Sequence, residues 1–266
     1  MLAALPIQPL PDPAGLFAHI RPALFMDIDG TLIELAERPD EVVVSAGLPE
    51  TLNRLSQRLE GAVALVTGRR LDDIDRLLGR LPIAAAGQHG LERRDVAGHR
   101  TTHAVDRTLM ATIADRLQGF AAGHPGTEVE DKGLTVALHY RRAPDAEEAA
   151  RRFVKEALRG VGDALSLHDG KKVLEVKPFG VDKGTAVGEM MAAPPFAGRT
   201  PVFIGDDVTD EDGFAAVNEL DGISIEVGFR EPTVARYRIA DVDATLALLA
   251  SLADRNGDGS MTDRGL

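Results

Sequence analysis

The chain has 266 residues, 44% hydrophobic and 27% charged, the balance of a folded globular protein rather than a disordered one. It contains no cysteine, which excludes disulfides, thiolate metal sites and cysteine nucleophiles and accords with a reducing compartment. A formal charge of −12 argues against nucleic acid or an anionic membrane as a general partner, and it obliges any anionic substrate to meet a local cation, for which a bound metal ion is the usual means.

The first fifteen residues hold four prolines and no basic residue ahead of an apolar run, so they do not read as a secretory leader. No apolar stretch approaches the length of a membrane span, and a cytoplasmic location is expected. Short apolar runs at 23–28, 62–66 and 83–86 end in small or acidic residues, the pattern of buried parallel strands. Between them Leu48, Leu52, Leu55 and Leu59, and then Leu71, Ile74, Leu77 and Leu78, recur at helical spacing.

The middle of the chain has another rhythm. Leu109, Met110, Ile113, Leu117 and Phe120 mark an amphipathic helix, followed by strands at 128–131 and 134–140 around Gly133. Phe153, Val154, Ala157, Leu158 and Val161 mark a second helix, followed by strands at 164–168 and 172–176 around Asp169-Gly170. Helix–strand–strand, twice over, predicts a smaller α+β unit at 101–178, inserted into a larger domain formed by 20–100 and 179–250. A helix then opens at Asp182-Lys183-Gly184, strands follow at 202–204 and 223–227, and 251–266 reads as a polar tail. Alternating strands and helices in the larger unit predict an α/β, doubly wound parallel sheet whose ligands lie beyond the carboxyl ends of its strands.

Four segments fall at those ends or at a helix start. Asp27-Ile28-Asp29-Gly30-Thr31-Leu32 follows the first strand and Thr67-Gly68-Arg69 the second. Asp182-Lys183-Gly184 begins a helix, and Gly205-Asp206-Asp207-Val208-Thr209-Asp210-Glu211-Asp212 follows a later strand. A carboxylate attacks phosphorus only when the phosphoryl charge is neutralised and the approach is in line, and Asp27 is placed for that attack. Asp29, two residues on, can give its proton to the leaving oxygen and later take one from water. Gly30 lets the chain turn away without blocking the phosphate. Magnesium takes hard oxygen ligands, which Asp27, the backbone carbonyl of Asp29 and Asp206 supply. Thr67 offers a hydroxyl and Lys183 a point charge to the phosphoryl oxygens. Each segment alone is commonplace, since Asp-x-Asp-Gly also occurs in calcium loops and turns. All four in this order point to phosphoryl transfer.

These four segments resemble the haloacid dehalogenase superfamily, and an insertion between the threonine and lysine segments resembles its second type of cap. Gly87-Gln88-His89-Gly90, Glu92-Arg93-Arg94-Asp95, Lys132-Gly133-Leu134, His139-Tyr140-Arg141 and Val173-Leu174-Glu175-Val176-Lys177-Pro178 extend the likeness over roughly 20–250, to the trehalose-6-phosphate phosphatase family of bacteria. The resemblance implies hydrolysis of trehalose 6-phosphate through an aspartyl-phosphate with magnesium. Asp27 is then the nucleophile and Asp29 the general acid/base, with Thr67 and Lys183 binding phosphate. Asp27, Asp29 (by its carbonyl) and Asp206 hold the metal, with Asp207 and Asp210 near or behind it. Glu130, Lys132 and Glu175 recognise the sugar, and Gly68, Arg69, Gln88 and His89 are further candidate substrate contacts. Other sugar phosphatases of the superfamily, acting on sucrose phosphate or a glycosylated phosphoglycerate, are the alternative, and a binding protein without turnover is a third reading.

Read without the resemblance, the cap residues keep two readings. Leu174 and Val176 point to one face and Glu175 to the other, either as a sugar reader or as part of a solvated sheet face. His89 reads as a sugar contact or as a residue that orders its loop. Asp254-Arg255-Asn256-Gly257-Asp258-Gly259-Ser260 fits the start of a calcium loop, but Gly265 stands where a bidentate Glu belongs, and a polar tail is expected. His99 and His103 share a zinc-like spacing in a stretch that suits no helix.

Overall fold

The structure, a computed structural model, describes residues 7–11, 16–17, 19–36, 42–170 and 172–254. In chain order the larger unit begins with strands β1 (Gln8–Pro9) and β2 (Pro22–Met26), helix α1 (Leu48–Arg58), β3 (Val63–Val66), α2 (Leu71–Leu78), β4 (Ala84–Gly87), β5 (Glu92–Arg94) and β6 (Arg100–Thr102). The inserted elements are α3 (Arg107–Ala122), β7 (Glu128–Asp131), β8 (Val136–His139), α4 (Glu147–Ala157), β9 (Leu165–Gly170) and β10 (Val173–Pro178). Helix α5 (Lys183–Met191), β11 (Thr200–Gly205), α6 (Glu211–Glu219), β12 (Ile223–Val227), β13 (Tyr237–Ile239) and α7 (Val242–Asp254) complete the chain.

The larger sheet runs β1-β13-β12-β11-β2-β3-β4-β5-β6, parallel throughout except for the last two strands. It is the doubly wound α/β core that the alternating pattern anticipates. Its central strands are apolar on both faces because both faces are covered. Leu24, Met26, Leu65 and Ile204 pack under α1, α2 and α7, while Phe25, Ala64, Val66 and Phe203 pack under α5 and α6. The second face is mostly alanine, and Phe25, Phe196, Phe203 and Phe214 fill the space those small residues leave.

The second sheet, β7-β8-β10-β9, is antiparallel. One face is closed by α3 and α4 through Met110, Ile113, Leu117, Val154, Val136, Leu138, Leu174 and Val176. Period-two alternation turns the intervening residues to the other face, toward the core. Register then sets a row across all four strands: Glu130 opposite Ala137, Ala137 opposite Glu175, and Glu175 opposite His168. Ala137, the smallest of the four, leaves room between the two glutamates.

Several expectations change. Thr101 and Thr102, expected in the inserted unit, pair with Arg93 and Glu92 in the larger sheet, so the insertion starts beyond them. Helix α7 continues through Asp254, into the stretch expected as tail, because Leu248, Leu249 and Leu252 pack on the core. Beyond Asp254, the stretch resembling a calcium loop lies outside the described residues, as do 1–6 and 12–15, on which the reading of the N-terminus rests. Among the described residues no helix is long and apolar enough to cross a membrane.

Candidate active site

Strand β2 ends at Met26, so Asp27 is the first residue off the sheet, its N–H still tied to the Ile204 carbonyl at 3.0 Å. The loop closes at once: Leu32 and Ile33 both donate to the carbonyl of Ile28. Gly30 sits at φ +81°, where a side chain would be strained and a Cβ would overlap the Asp206 carboxylate. Asp206 fills that notch, and the Thr31 hydroxyl donates to its Oδ1 at 3.4 Å.

Lys183 is delivered by the start of α5, where Asp182 caps the helix and Thr185 answers back to complete a capping box. Its Nζ donates to Asp210 Oδ1 at 2.7 Å and lies 3.1 Å from Asp27 Oδ1. Asp210 Oδ2 accepts the N–H groups of Asp206 and Asp207, each at 2.9 Å. Asp210 is therefore the residue that ties the 205–212 loop to Lys183. Burial opposes the charged form of Lys183, but Asp210 and Asp27 outweigh it and hold the ammonium above its usual range. Burial pushes the Asp27 carboxyl well up against the pull of Lys183, and Asp210, Asp206 and Asp29 push the same way.

Asp27, Asp206 and Asp210 are all buried and bring carboxylate oxygens within 4.8 Å of one another. Two of these three carboxylates, those of Asp27 and Asp210, meet the Lys183 ammonium. Asp210 is committed on both oxygens. An all-oxygen donor set, in which the buried Asp27 Oδ1 is met by the Lys183 ammonium, fits a hard divalent cation. Asp207 Oδ1 instead caps the turn that follows it, accepting from Val208 N at 2.7 Å.

Thr67, 1% exposed, extends the β3–β4 ladder by one bond to Ala86, and its Oγ1 accepts from Arg69 N at 3.3 Å. The Asp29 carboxylate is gripped by Arg69 through two bonds of 2.6 Å, Nε to Oδ2 and a terminal nitrogen to Oδ1.

Across from this group stands the row on the cap sheet, and a cavity of about 720 Å³ separates them. Asp27, Thr67 and Lys183 line its floor, and Glu130, Lys132 and Glu175 line its roof. Glu175 is only 7% exposed and engaged on both oxygens: Oε1 accepts from Lys132 Nζ at 3.1 Å and Thr135 Oγ1 at 2.9 Å, and Oε2 meets His89 Nε2 at 2.6 Å. Burial alone would raise its pKa, but Lys132 and His89 hold it well below the usual carboxylate range. Lys132 is raised the same way, with Glu175 and Glu130 overcoming burial, and its Nζ also donates to the Gly68 carbonyl at 3.1 Å. Glu130 pairs with His139 at 3.0 Å.

Of the expected substrate contacts, Gln88 is the one turned aside. It does not line the cavity, and its amide donates to Glu92 Oε1 at 3.1 Å. Thr135 and His168 escaped the sequence reading as site residues, and His139 and Arg141 stood in it only as part of a family segment, without a role. His139 shares a face with Ala137 by alternation, and Arg141 donates to the Ala36 carbonyl at 2.6 Å, bridging cap to core. The register of the cap strands is the signal that finds His139 and His168, and it becomes available only once the pairing is known.

The sequence profile of the family described as trehalose-phosphatase matches residues 25–243. A probable trehalose-phosphate phosphatase of Sinorhizobium fredii is 44% identical over 232 residues, 87% of each chain. The trehalose-6-phosphate phosphatase of Escherichia coli is 38% identical over 244 residues, 91% of each chain. The C-terminal domain of trehalose-6-phosphate phosphatase from C. albicans has the same fold, with a TM-score of 0.82 at 22% identity over 92% of this chain and 98% of that one. With the profile covering most of the sequence and relatives of this identity over nearly its full length, the chain belongs to the trehalose-phosphatase family.

Proposed function

We propose that the protein hydrolyses trehalose 6-phosphate to trehalose and phosphate, with Asp27 as nucleophile and Mg²⁺ as cofactor, in the cytoplasm. The observation that carries this reading is one cavity with two unlike walls: a nucleophile–ammonium pair on the core, and carboxylates with a lysine on the cap. The relatives' names supply the sugar.

A carboxylate oxygen of Asp27 attacks phosphorus, and the bond from phosphorus to the sugar oxygen breaks as Asp29 delivers its proton to that oxygen. Water then attacks the aspartyl-phosphate while Asp29 takes up its proton, and phosphate leaves with Asp27 restored. Lys183 and Thr67 hold the non-bridging oxygens as charge spreads over them. Asp27, Asp206 and the carbonyl of Asp29 would hold the Mg²⁺, which when bound would neutralise phosphoryl charge. Asp29 serves as acid only after leaving its pair with Arg69, and a phosphate dianion is the natural competitor for that guanidinium.

On the cap, Lys132 has three N–H donors and spends two on protein, while Glu175 has about four acceptor sites and spends three. Each keeps capacity for a sugar hydroxyl, as does Glu130 beside His139. Phosphate release from trehalose 6-phosphate, with Mg²⁺ and with the metal chelated, tests the reading. Turnover that needs the metal is the expected result, and no release in either condition rejects it.

A further inference from the structure

Four residues close a circuit across the boundary between core and cap. His89 Nε2 meets Glu175 Oε2 at 2.6 Å, Glu175 Oε1 accepts from Lys132 Nζ at 3.1 Å, and Lys132 Nζ donates to the Gly68 carbonyl at 3.1 Å. Gly68 closes the ring by contact: a Cβ there would lie 2.8 Å from His89 Nε2 and 2.9 Å from Cε1, so the imidazole rests on its α-carbon. The core side of the circuit is itself pinned to the phosphate side of the site. His89 N–H donates to the Thr67 carbonyl at 2.9 Å, and Gln88 N–H to the Arg69 carbonyl at 2.8 Å. To make these bonds both residues take left-handed backbone, φ +47° for Gln88 and +58° for His89, which side chains adopt at a cost and which recurs at functional sites.

We propose that His89 is a positioning residue that pins the sugar-facing strand β10 to the 67–69 loop, so that the cap's sugar contacts are assembled only when the cap is seated on the core. The proposal rests on the reading that the cap meets a sugar. The contact is sealed from water, with His89 and Glu175 6% and 7% exposed. Burial pushes the His89 pKa down, while Lys132 and His89 hold that of Glu175 down, with Nε2 of the ring 2.6 Å from Glu175 Oε2. Closure then supplies the Lys132 and Glu175 orientation through Gly68, the neighbour of the phosphate-side Thr67.

The two amide replacements of His89 separate this role from others. Gln places an amide N–H near Nε2 and Asn places one near Nδ1, while Asn tolerates the left-handed backbone well. His89→Asn should lower kcat/KM for trehalose 6-phosphate about ten- to a hundredfold and that for p-nitrophenyl phosphate far less, because mispositioning of the cap harms most the substrate that needs it. His89→Gln should recover most of the loss, and His89→Asn combined with Glu175→Gln should be no worse than Glu175→Gln alone. Equal losses on both esters, no recovery by Gln, or additive losses in the double variant would each overturn the proposal. A second readout needs no sugar. The natural chain has no cysteine, so dyes on Leu220→Cys in the core and Arg159→Cys in the cap report their separation alone. Energy transfer should show a longer, broader distance in His89→Asn than in wild type or His89→Gln; an unchanged distance overturns the latch, whatever the substrate proves to be.

Discussion

The two walls of the cavity hold the same kinds of charge in opposite states of balance. On the core wall Asp27, Asp206 and Asp210 cluster together, and Lys183 pairs with Asp27 and Asp210. On the cap wall Glu130 and Glu175 are matched by Lys132, His139, His89 and Thr135, and each carboxylate has a partner. Burial raises Asp27 on one wall, whereas partners overcome burial and lower Glu175 on the other. The difference teaches a division of labour. Under the proposed function, the core wall gathers carboxylates for a cation and a phosphoryl group to answer, while the cap wall, once seated on the core, already carries its own counter-charges for a sugar to meet.

The most severe way to break the comparison is at the nucleophile. Asp27→Asn should reduce phosphate release by about a thousandfold or more on every ester, since the covalent step is lost, whatever the cap does. Next comes Lys183→Met. Removing the ammonium leaves Asp27 and Asp210 buried without it, which should cost about 3–5 kcal/mol in denaturant unfolding. Turnover should fall by about a hundred- to a thousandfold on both large and small esters. A variant of unchanged stability would show that the core wall is not short of positive charge.

Glu130→Ala sharpens the contrast from the other side. It should cut kcat/KM for trehalose 6-phosphate about ten- to a hundredfold and leave a small artificial ester within about twofold. A parallel loss on both esters would make Glu130 part of the scaffold.

How much of this was legible in the sequence follows the same division. The core wall was readable because each of its residues stands at a strand end or a helix start, where local pattern is strongest: Asp27 after β2, Thr67 after β3, Lys183 opening α5, Asp206 after β11. The role of Asp210 was only half visible. The family resemblance placed it near or behind the metal, but its bonds to Lys183 and to two backbone N–H groups depend on how the loop folds back. The cap wall was hidden further, because the row Glu130–Ala137–Glu175–His168 is a product of strand register over more than forty residues. Glu175 was visible by alternation, yet its bond to His89 spans 86 positions and no local pattern announces it. The short strands β1, β5, β6 and β13 went unread for a simpler reason: runs of two or three residues carry no periodicity.

The smallest expected effect is on stability against acid. Burial, with Lys177 and His89 adding, lowers the His168 pKa from 6.5 to about 4. Between those values the unfolded chain binds a proton that the folded chain refuses, so this contribution is complete above pH 6.5 and is lost as the pH falls toward 4. Melting temperature should decline on acidification across that window, and His168→Gln should flatten part of the slope. An identical slope in the variant would remove His168 from the account.

The central claim is that one wall breaks the phosphate ester and the other chooses the sugar. Wild-type kcat/KM for trehalose 6-phosphate against glucose 6-phosphate, measured side by side with Mg²⁺, tests it most directly. The account predicts a preference for the disaccharide of about a hundredfold or more, because only trehalose 6-phosphate carries the second glucose unit to the cap wall. Equal values for the two substrates would contradict it.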